Sequence, residues 1–471
     1  MTHPVFPPLK AMSTQRNRRL LLTLPACALP MLTACGGGGD LSYDTEQALY
    51  VVGEAITPNK PKLDGGKPNA PSGATATFSV EPALPAGLVL NTSTGVISGI
   101  PTQLKRQAIH TVTATTTARR VRETAKTQLR ITVTGRGAWT PASSMSVAKT
   151  NASIVPLPGG KFLVMGGGDD AGNWTNSAEI YDAASATWSA AASMLQFRRN
   201  PSTVVLRDGR VLVFGGDPSD AGNGNLESGV AETYDPGTTP GTWTATTGRM
   251  HEVRTGASVH LLPSGKVLAV GGFDSNTTEL YDPDTGVWAL LPTRLSAVRA
   301  QHAAVLLPDG KTLLLAGGAA ATTAELYKVD GSATKVIPYG VESFVTRAVP
   351  LDDGCVLVIS DRSNLSKRFN PAASSWTTST MVNGARVRPT MTALADGRVL
   401  VAGGTRSING DIFYSNTAEI YNPDVSCWTA ARPMAMERFA AVAALLGEGS
   451  VLVASGDGIN GYLNTSERYL P

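Results

Sequence analysis

The chain alternates short apolar runs with turn-forming residues, and one cycle, residues 263–288 (PSGKVLAVGGFDSNTTELYDPDTGVW), sets the pattern for most of its length. A tight turn at Ser264-Gly265 leads into the apolar run Val267–Val270, then the pair Gly271-Gly272 and a short polar loop. A segment carrying Glu279 and Tyr281 follows, then a second turn over residues 283–286 and a segment bearing Trp288. Apolar runs this short, bounded by Gly and Pro, read as strands rather than helices. The Gly-pair position recurs at Gly166, Gly215, Gly271, Gly317, Ser360, Gly403 and Ser455. The mean spacing is about 48 residues, the scale of a four-stranded repeat.

The third-strand aromatic recurs at Tyr181, Tyr234, Tyr281, Tyr327, Phe369, Tyr421 and Tyr469. The fourth-strand Trp recurs at Trp188, Trp243, Trp288, Trp376 and Trp428, and the fourth repeat lacks it. After Tyr469 only two residues remain, whereas Trp139 stands ahead of the first repeat with no repeat of its own. The pattern therefore predicts a ring in which the strand around Trp139 completes the seventh repeat, so that closure removes the free sheet edge. The motif set, a Gly pair, then E-x-Y-x-P, then Trp, resembles kelch repeats in the form found in the central domain of galactose oxidase. The expected fold is all-β: a seven-bladed kelch-type β-propeller over residues 136–471, preceded by a smaller β-sandwich.

Two polar registers run through the repeats. The first reads Lys149, Arg198, Arg254, Arg299, Ser343, Arg386 and Arg438; the second reads Glu179, Glu232, Glu279, Glu325, Lys367, Glu419 and Glu467. Each Glu lies two residues before the third-strand aromatic, on the same strand face. A carboxylate beside a ring packed between blades needs a partner. The basic residue is expected to open the first strand and to cross the Gly pair, which has no side chains in the way, to reach that Glu. The fifth repeat loses all three features together (Ser343, Ser360-Asp361 and Lys367). Structural ion pairs within each blade are thus the expectation; a basic ring that binds an anionic ligand is the alternative, as kelch arginines do in some relatives.

The first 135 residues differ. Arg16, Arg18 and Arg19 precede the apolar stretch Leu20–Leu32, too short to span a membrane. Leu32-Thr33-Ala34-Cys35 and a Gly run follow. This order resembles the signal and lipobox of bacterial lipoproteins. The resemblance implies that residues 1–34 are removed, that Cys35 is lipidated, that residues 35–40 form a tether, and that the protein sits at the outer membrane, facing the periplasm or the surface. Residues 41–135 carry short alternating strands, and Phe78–Thr102 (FSVEPALPAGLVLNTSTGVISGIPT) resembles the Ig-like modules of bacterial envelope proteins. Arg119, Arg120, Arg122 and Lys126 crowd one hairpin there, read as a solvated tip.

Charge narrows the partners. Losing residues 1–34 removes four basic residues and no acid, taking the formal charge from +3 to −1. A near-neutral chain gives no electrostatic case for nucleic acid. Of four cysteines only Cys355 and Cys427 would remain. They fall in different repeats and read as buried free thiols, with a disulfide between them as the other possibility.

Loop lengths place the ligand. The connections after the Gly pair are long in repeats six, seven, one and two, which are contiguous around a closed ring. They carry Asn173 and Trp174, Asp217, Phe413 and Tyr414, and Tyr462. Rings beside amides and carboxylates suit a glycan or an extended peptide. Asp169, Asp170, Asp217 and Asp220 lack the spacing of a calcium loop. Galactose-oxidase chemistry would need copper held by two His and two Tyr, with a thioether-forming Cys and one His from a further C-terminal domain, which the chain does not extend to supply. His260 and His302 lie in first-strand segments instead. No nucleophile–base pair, metal or cofactor is expected. The residues favour a lipid-anchored envelope binding or scaffold protein over the alternative, a divergent carbohydrate-active enzyme at the same mouth.

Overall fold

The computed structural model describes residues 40–64, 75–118, 121–169, 173–216, 229–318, 321–343, 345–361, 363–408 and 411–471. The expected signal peptide and Cys35 lie outside them. Asp40, assigned above to the tether, already begins a strand, Asp40–Tyr43.

Up to residue 134 the chain folds around one four-stranded sheet. Its order is Gln47–Val51, Val121–Thr134, Lys105–Ala118, Thr75–Glu81, with the first two strands parallel. Leu88–Leu90 pairs with Ile97–Gly99, and Asp40–Tyr43 with Pro61–Asp64. Alternating side chains from these strands (Tyr43, Phe78, Leu88, Ile97, Val112, Leu129 and Ile131) form its core.

Beyond it, the described residues form seven four-stranded sheets in succession. The third is representative: Ser258–Leu261, Val267–Val270, Thr278–Asp282 and Val287–Leu290, all antiparallel neighbours. Gly265 and Gly286, at φ 88° and 71°, make the two tight turns. The second strand is buried along its whole length, which is why it reads as an unbroken apolar run rather than an alternating one. Seven separate apolar cores lie between successive sheets, each built from two neighbours.

The seventh sheet takes Val442–Leu445, Val451–Ala454 and Ser466–Leu470 from the end of the chain and Ala138–Ala142 from just ahead of the first blade. Tyr469 pairs with Trp139, their rings 5.1 Å apart. One core joins the last sheet to the first, packing Leu452 and Val442 against Phe162 and Tyr181. The sheets therefore close into a ring with the first strands innermost, and they are the blades of a propeller. In blade four, Thr334 takes the place of the missing Trp opposite Tyr327.

The smaller domain meets the turns on one side of the ring. Arg398 Nη1 donates to Thr134 Oγ1 at 2.8 Å, Gln107 Nε2 to the Asp424 carbonyl at 3.3 Å, and Arg106 pairs with Asp352 at 3.8 Å. Asp352, Arg398 and Asp424 lie in or beside first-to-second and third-to-fourth turns of blades five and six. That side is opposite the loops that follow the Gly pairs. Cys355 is a buried free thiol, so no disulfide joins it to Cys427; Cys427 is itself disulfide-bonded, which corrects the expectation of two free thiols.

Candidate functional site

Six of the seven blades are braced by one buried cation, and these braces shape the mouth. Arg254 Nε donates to Glu279 Oε1 at 3.0 Å, Nη1 to the carbonyls of Gly271 at 2.7 Å and Thr277 at 2.9 Å, and Nη2 to Thr277 Oγ1 at 2.7 Å. The same set recurs around Arg299 with Glu325 (2.8 Å), Arg386 with Glu419 (3.2 Å) and Arg438 with Glu467 (3.2 Å). In blade two Arg198 pairs with Glu232 at 2.9 Å, using the Val230 carbonyl where others use Thr. Lys149, shorter, stands 3.6 Å from Glu179.

Contrary to the expectation from the sequence, the basic residue does not open the first strand. It precedes it by four residues, in the connection from the previous blade, as Arg254 stands to Ser258. The Gly pair is also more than open space. Its first carbonyl accepts the arginine of its own blade, and its second N–H donates to the carbonyl of the next blade's basic residue: Gly272 to Arg299 at 2.8 Å and Gly456 to Lys149 at 2.8 Å. Each brace thus ties two blades. The Glu completes it by accepting backbone N–H groups of the inter-blade connection, as Glu279 does from His251 at 2.8 Å. These arginines are fully enclosed and saturated, so they are unavailable to a ligand. Burial drives Arg386 down and Glu419 up, with pairing only partly offsetting it. In blade five, Lys367 instead donates to the Tyr339 carbonyl.

Two residues beyond each cation the chain turns into the channel in a left-handed conformation: Asn151, Asn200, Gly256, Gln301, Arg388 and Ala440, with φ from 48° to 65°. Backbone hydrogen bonds link them around the axis, among them Asn200 N to Asn151 O at 2.8 Å and Asn151 N to Ala440 O at 3.2 Å. This collar is the inner edge of the mouth.

The outer wall is built from the long connections. Thr405–Ile408 and Asp411–Tyr414 form a hairpin anchored to the collar where Val387 pairs with Thr405. The Tyr414 hydroxyl donates to Asp457 Oδ2 of blade seven at 2.9 Å, and burial first, then that contact, raises its pKa to about 12. It is therefore a fixed donor. Tyr462, in the small hairpin of blade seven, lies against Gly168 of blade one, and Gly168 pairs with Trp174. The structure brings Tyr414, Asp457 and Tyr462 together, with Trp174 alongside. Phe413 faces away from Tyr414, as consecutive strand residues do, and is exposed. Asn173 is exposed and donates its N–H to Asp169. Asp170, Asp217 and Asp220 lie outside the described residues. No described group of three or more His, Cys, Asp or Glu is placed to hold a metal ion.

The channel holds one contact that the sequence did not reveal. Ser258 Oγ and His302 Nε2 lie 2.9 Å apart, Ser258 opening the first strand of blade three and His302 immediately preceding that of blade four. Burial, then the Arg299 charge, drives His302 down to about 3; burial drives His260 to about 4. So weak a base draws little from a serine. Both histidines are neutral in the fold but protonate near 6.5 when unfolded. The unfolded chain therefore takes up protons first, and stability should fall as pH drops from about 6.5 towards 4. Thermal midpoints between pH 7 and pH 4 check this: His260→Gln with His302→Gln should flatten the slope.

Comparison with known proteins agrees with this architecture. Residues 43–134 match the model described as "Putative Ig domain", and residues 155–195 and 392–435 match that of the kelch motif. The chain carries an Ig-like domain and kelch repeats. Among solved structures, a fungal alcohol oxidase of the AA5 family, in complex with copper, is similar at 19% identity and TM-score 0.58, over 71% of this chain and 76% of that one. The protein YjhT is similar at 14% identity and TM-score 0.45, over 69% and 95%. No curated protein matches the chain. At this identity the likeness shows the fold alone. Among the described residues His302 is tied to Ser258, and no third His, Cys, Asp or Glu joins the two histidines to hold a metal ion.

Proposed function

We propose that the propeller mouth is a receptor for a glycan, on a protein anchored to the outer membrane by lipid on Cys35. The observation that carries the reading is the half-buried pair Tyr414 and Tyr462 beside Asp457, at the junction of blades six, seven and one. Sugar rings present apolar faces to aromatic side chains and hydroxyls to carboxylates. The Ig-like domain docks on the opposite side of the ring, which keeps the mouth open and suits it to a spacer role.

A panel of neutral and acidic oligosaccharides, measured against the purified chain, tests this. Tyr462→Ala and Trp174→Ala should each weaken the best binder at least about tenfold, as loss of a stacking ring does; unchanged affinity in both would remove the rings from the site. The same material tests the anchor. Lipidation should add the mass of its acyl chains at Cys35. A divergent carbohydrate-active enzyme at the same mouth is the second reading, favoured only by the Ser258–His302 contact. Turnover of a bound oligosaccharide, lost in Ser258→Ala, would support it.

A further inference from the structure

Arg347 stands apart from the other arginines of the channel. It is the second residue of Thr346–Pro350, the innermost strand of blade five. Of the five N–H donors of a guanidinium, it uses one, from Nη1 to the Thr346 carbonyl at 3.4 Å. No described carboxylate lies within ion-pair reach of it. Arg388 stands two residues before Thr390–Ala393, the innermost strand of blade six, which packs beside the strand carrying Arg347; burial, then the charge of Arg388, lowers Arg347 to about 10. Arg388 belongs to the collar, at φ 48°, and donates to Asn151 Oδ1 of blade one. The acidic register that pairs with a buried cation in the other blades holds Lys367 in blade five.

The same place adjoins the aromatic wall. Val387, beside Arg388, pairs with Thr405, and Thr405 pairs with Tyr414. Positive donors at the collar therefore continue into rings and a carboxylate at the wall.

We propose that the inner end of the mouth is an anion subsite, in which Arg347 and Arg388 take the carboxylate of an acidic sugar residue whose glycan lies along Tyr414 and Tyr462. This rests on the reading of the mouth as a glycan receptor and specifies its ligand as a uronic-acid glycan. Planar guanidiniums match a carboxylate with paired, charge-assisted hydrogen bonds. An acidic peptide has the same charge, but Asp457 on the wall would repel a run of carboxylates, whereas it accepts hydrogen bonds from sugar hydroxyls.

The test compares a glucuronic acid tetramer with a glucose tetramer of the same linkage, by calorimetry on the full chain, in wild type, Arg347→Gln, Arg347→Lys and Tyr462→Ala. Wild type should bind the acidic tetramer at least tenfold more tightly. Arg347→Gln should abolish that preference while leaving the neutral tetramer's affinity and the thermal midpoint unchanged, and Arg347→Lys should restore it only in part. Tyr462→Ala should weaken both tetramers. Equal binding of the two by wild type would overturn the anion subsite and leave the glycan reading standing. Binding of neither would overturn both, as would binding of a hexa-aspartate peptide alone.

Discussion

Replacing Arg254 by Met should cost about 3–5 kcal/mol of stability, because it strands a buried carboxylate. Glu279 is fully enclosed and keeps only the His251 and Glu252 contacts once Arg254 is gone. The carbonyl of Gly271 loses its donor at the same time, and that of Thr277 keeps only the Gly271 N–H. Lys62→Ala, at an exposed pair with Asp44, should change stability by less than about 1 kcal/mol. The double change Arg254→Met with Glu279→Leu should recover part of the loss. Removing both charges also removes their desolvation, but the N–H groups of His251 and Glu252 would then lack an acceptor. Urea titration followed by tryptophan fluorescence separates the four proteins. An Arg254→Met chain as stable as wild type would show that the braces bear none of the fold's stability.

Gly271→Ala should be nearly as damaging by a different route. Gly271 sits at φ 65°, and a Cβ there would collide with the carbonyl oxygen of Arg299 in the next blade. Left-handed backbone in a residue with a Cβ costs about 1–3 kcal/mol, and overpacking adds about as much again. Because the obstacle is backbone, no rotamer change relieves it. Blade seven supplies the contrast, carrying Ser455 at φ 60° in the equivalent place. Ser455→Gly should therefore be neutral or slightly stabilising. A thermal midpoint for Gly271→Ala within about 1 °C of wild type would contradict this close approach between blades, since about 1 kcal/mol already moves a large domain by several degrees.

Repetition made the braces legible. A base, a Gly pair, an acid and an aromatic each return in nearly every cycle, and the places where they fail coincide in blade five. Closure was legible for a related reason: Trp139 was a motif residue without a motif. What could not be read was whatever depends on how one blade meets the next. The Thr two residues before each Glu (Thr277, Thr323, Thr417, Thr465) looks like loop composition until Arg254, Arg299, Arg386 and Arg438 are seen to bind it. The contact of Ser258 with His302 joins adjacent blades, and no spacing within a cycle encodes it. The mouth falls between these cases. Loop length located its wall, but only the register of the short hairpins separates Tyr414, turned to Asp457, from Phe413, turned away.

Hydrogen exchange with and without a saturating acidic oligosaccharide tests the placement of the receptor most directly. Bound ligand slows exchange where it orders the backbone. Protection confined to residues 345–348, 387–389, 405–408, 411–414, 457–463, 168–169 and 173–176 is the expected result. Protection confined instead to the turns beside Asp352, Arg398 and Asp424, under the Ig-like domain, would contradict it.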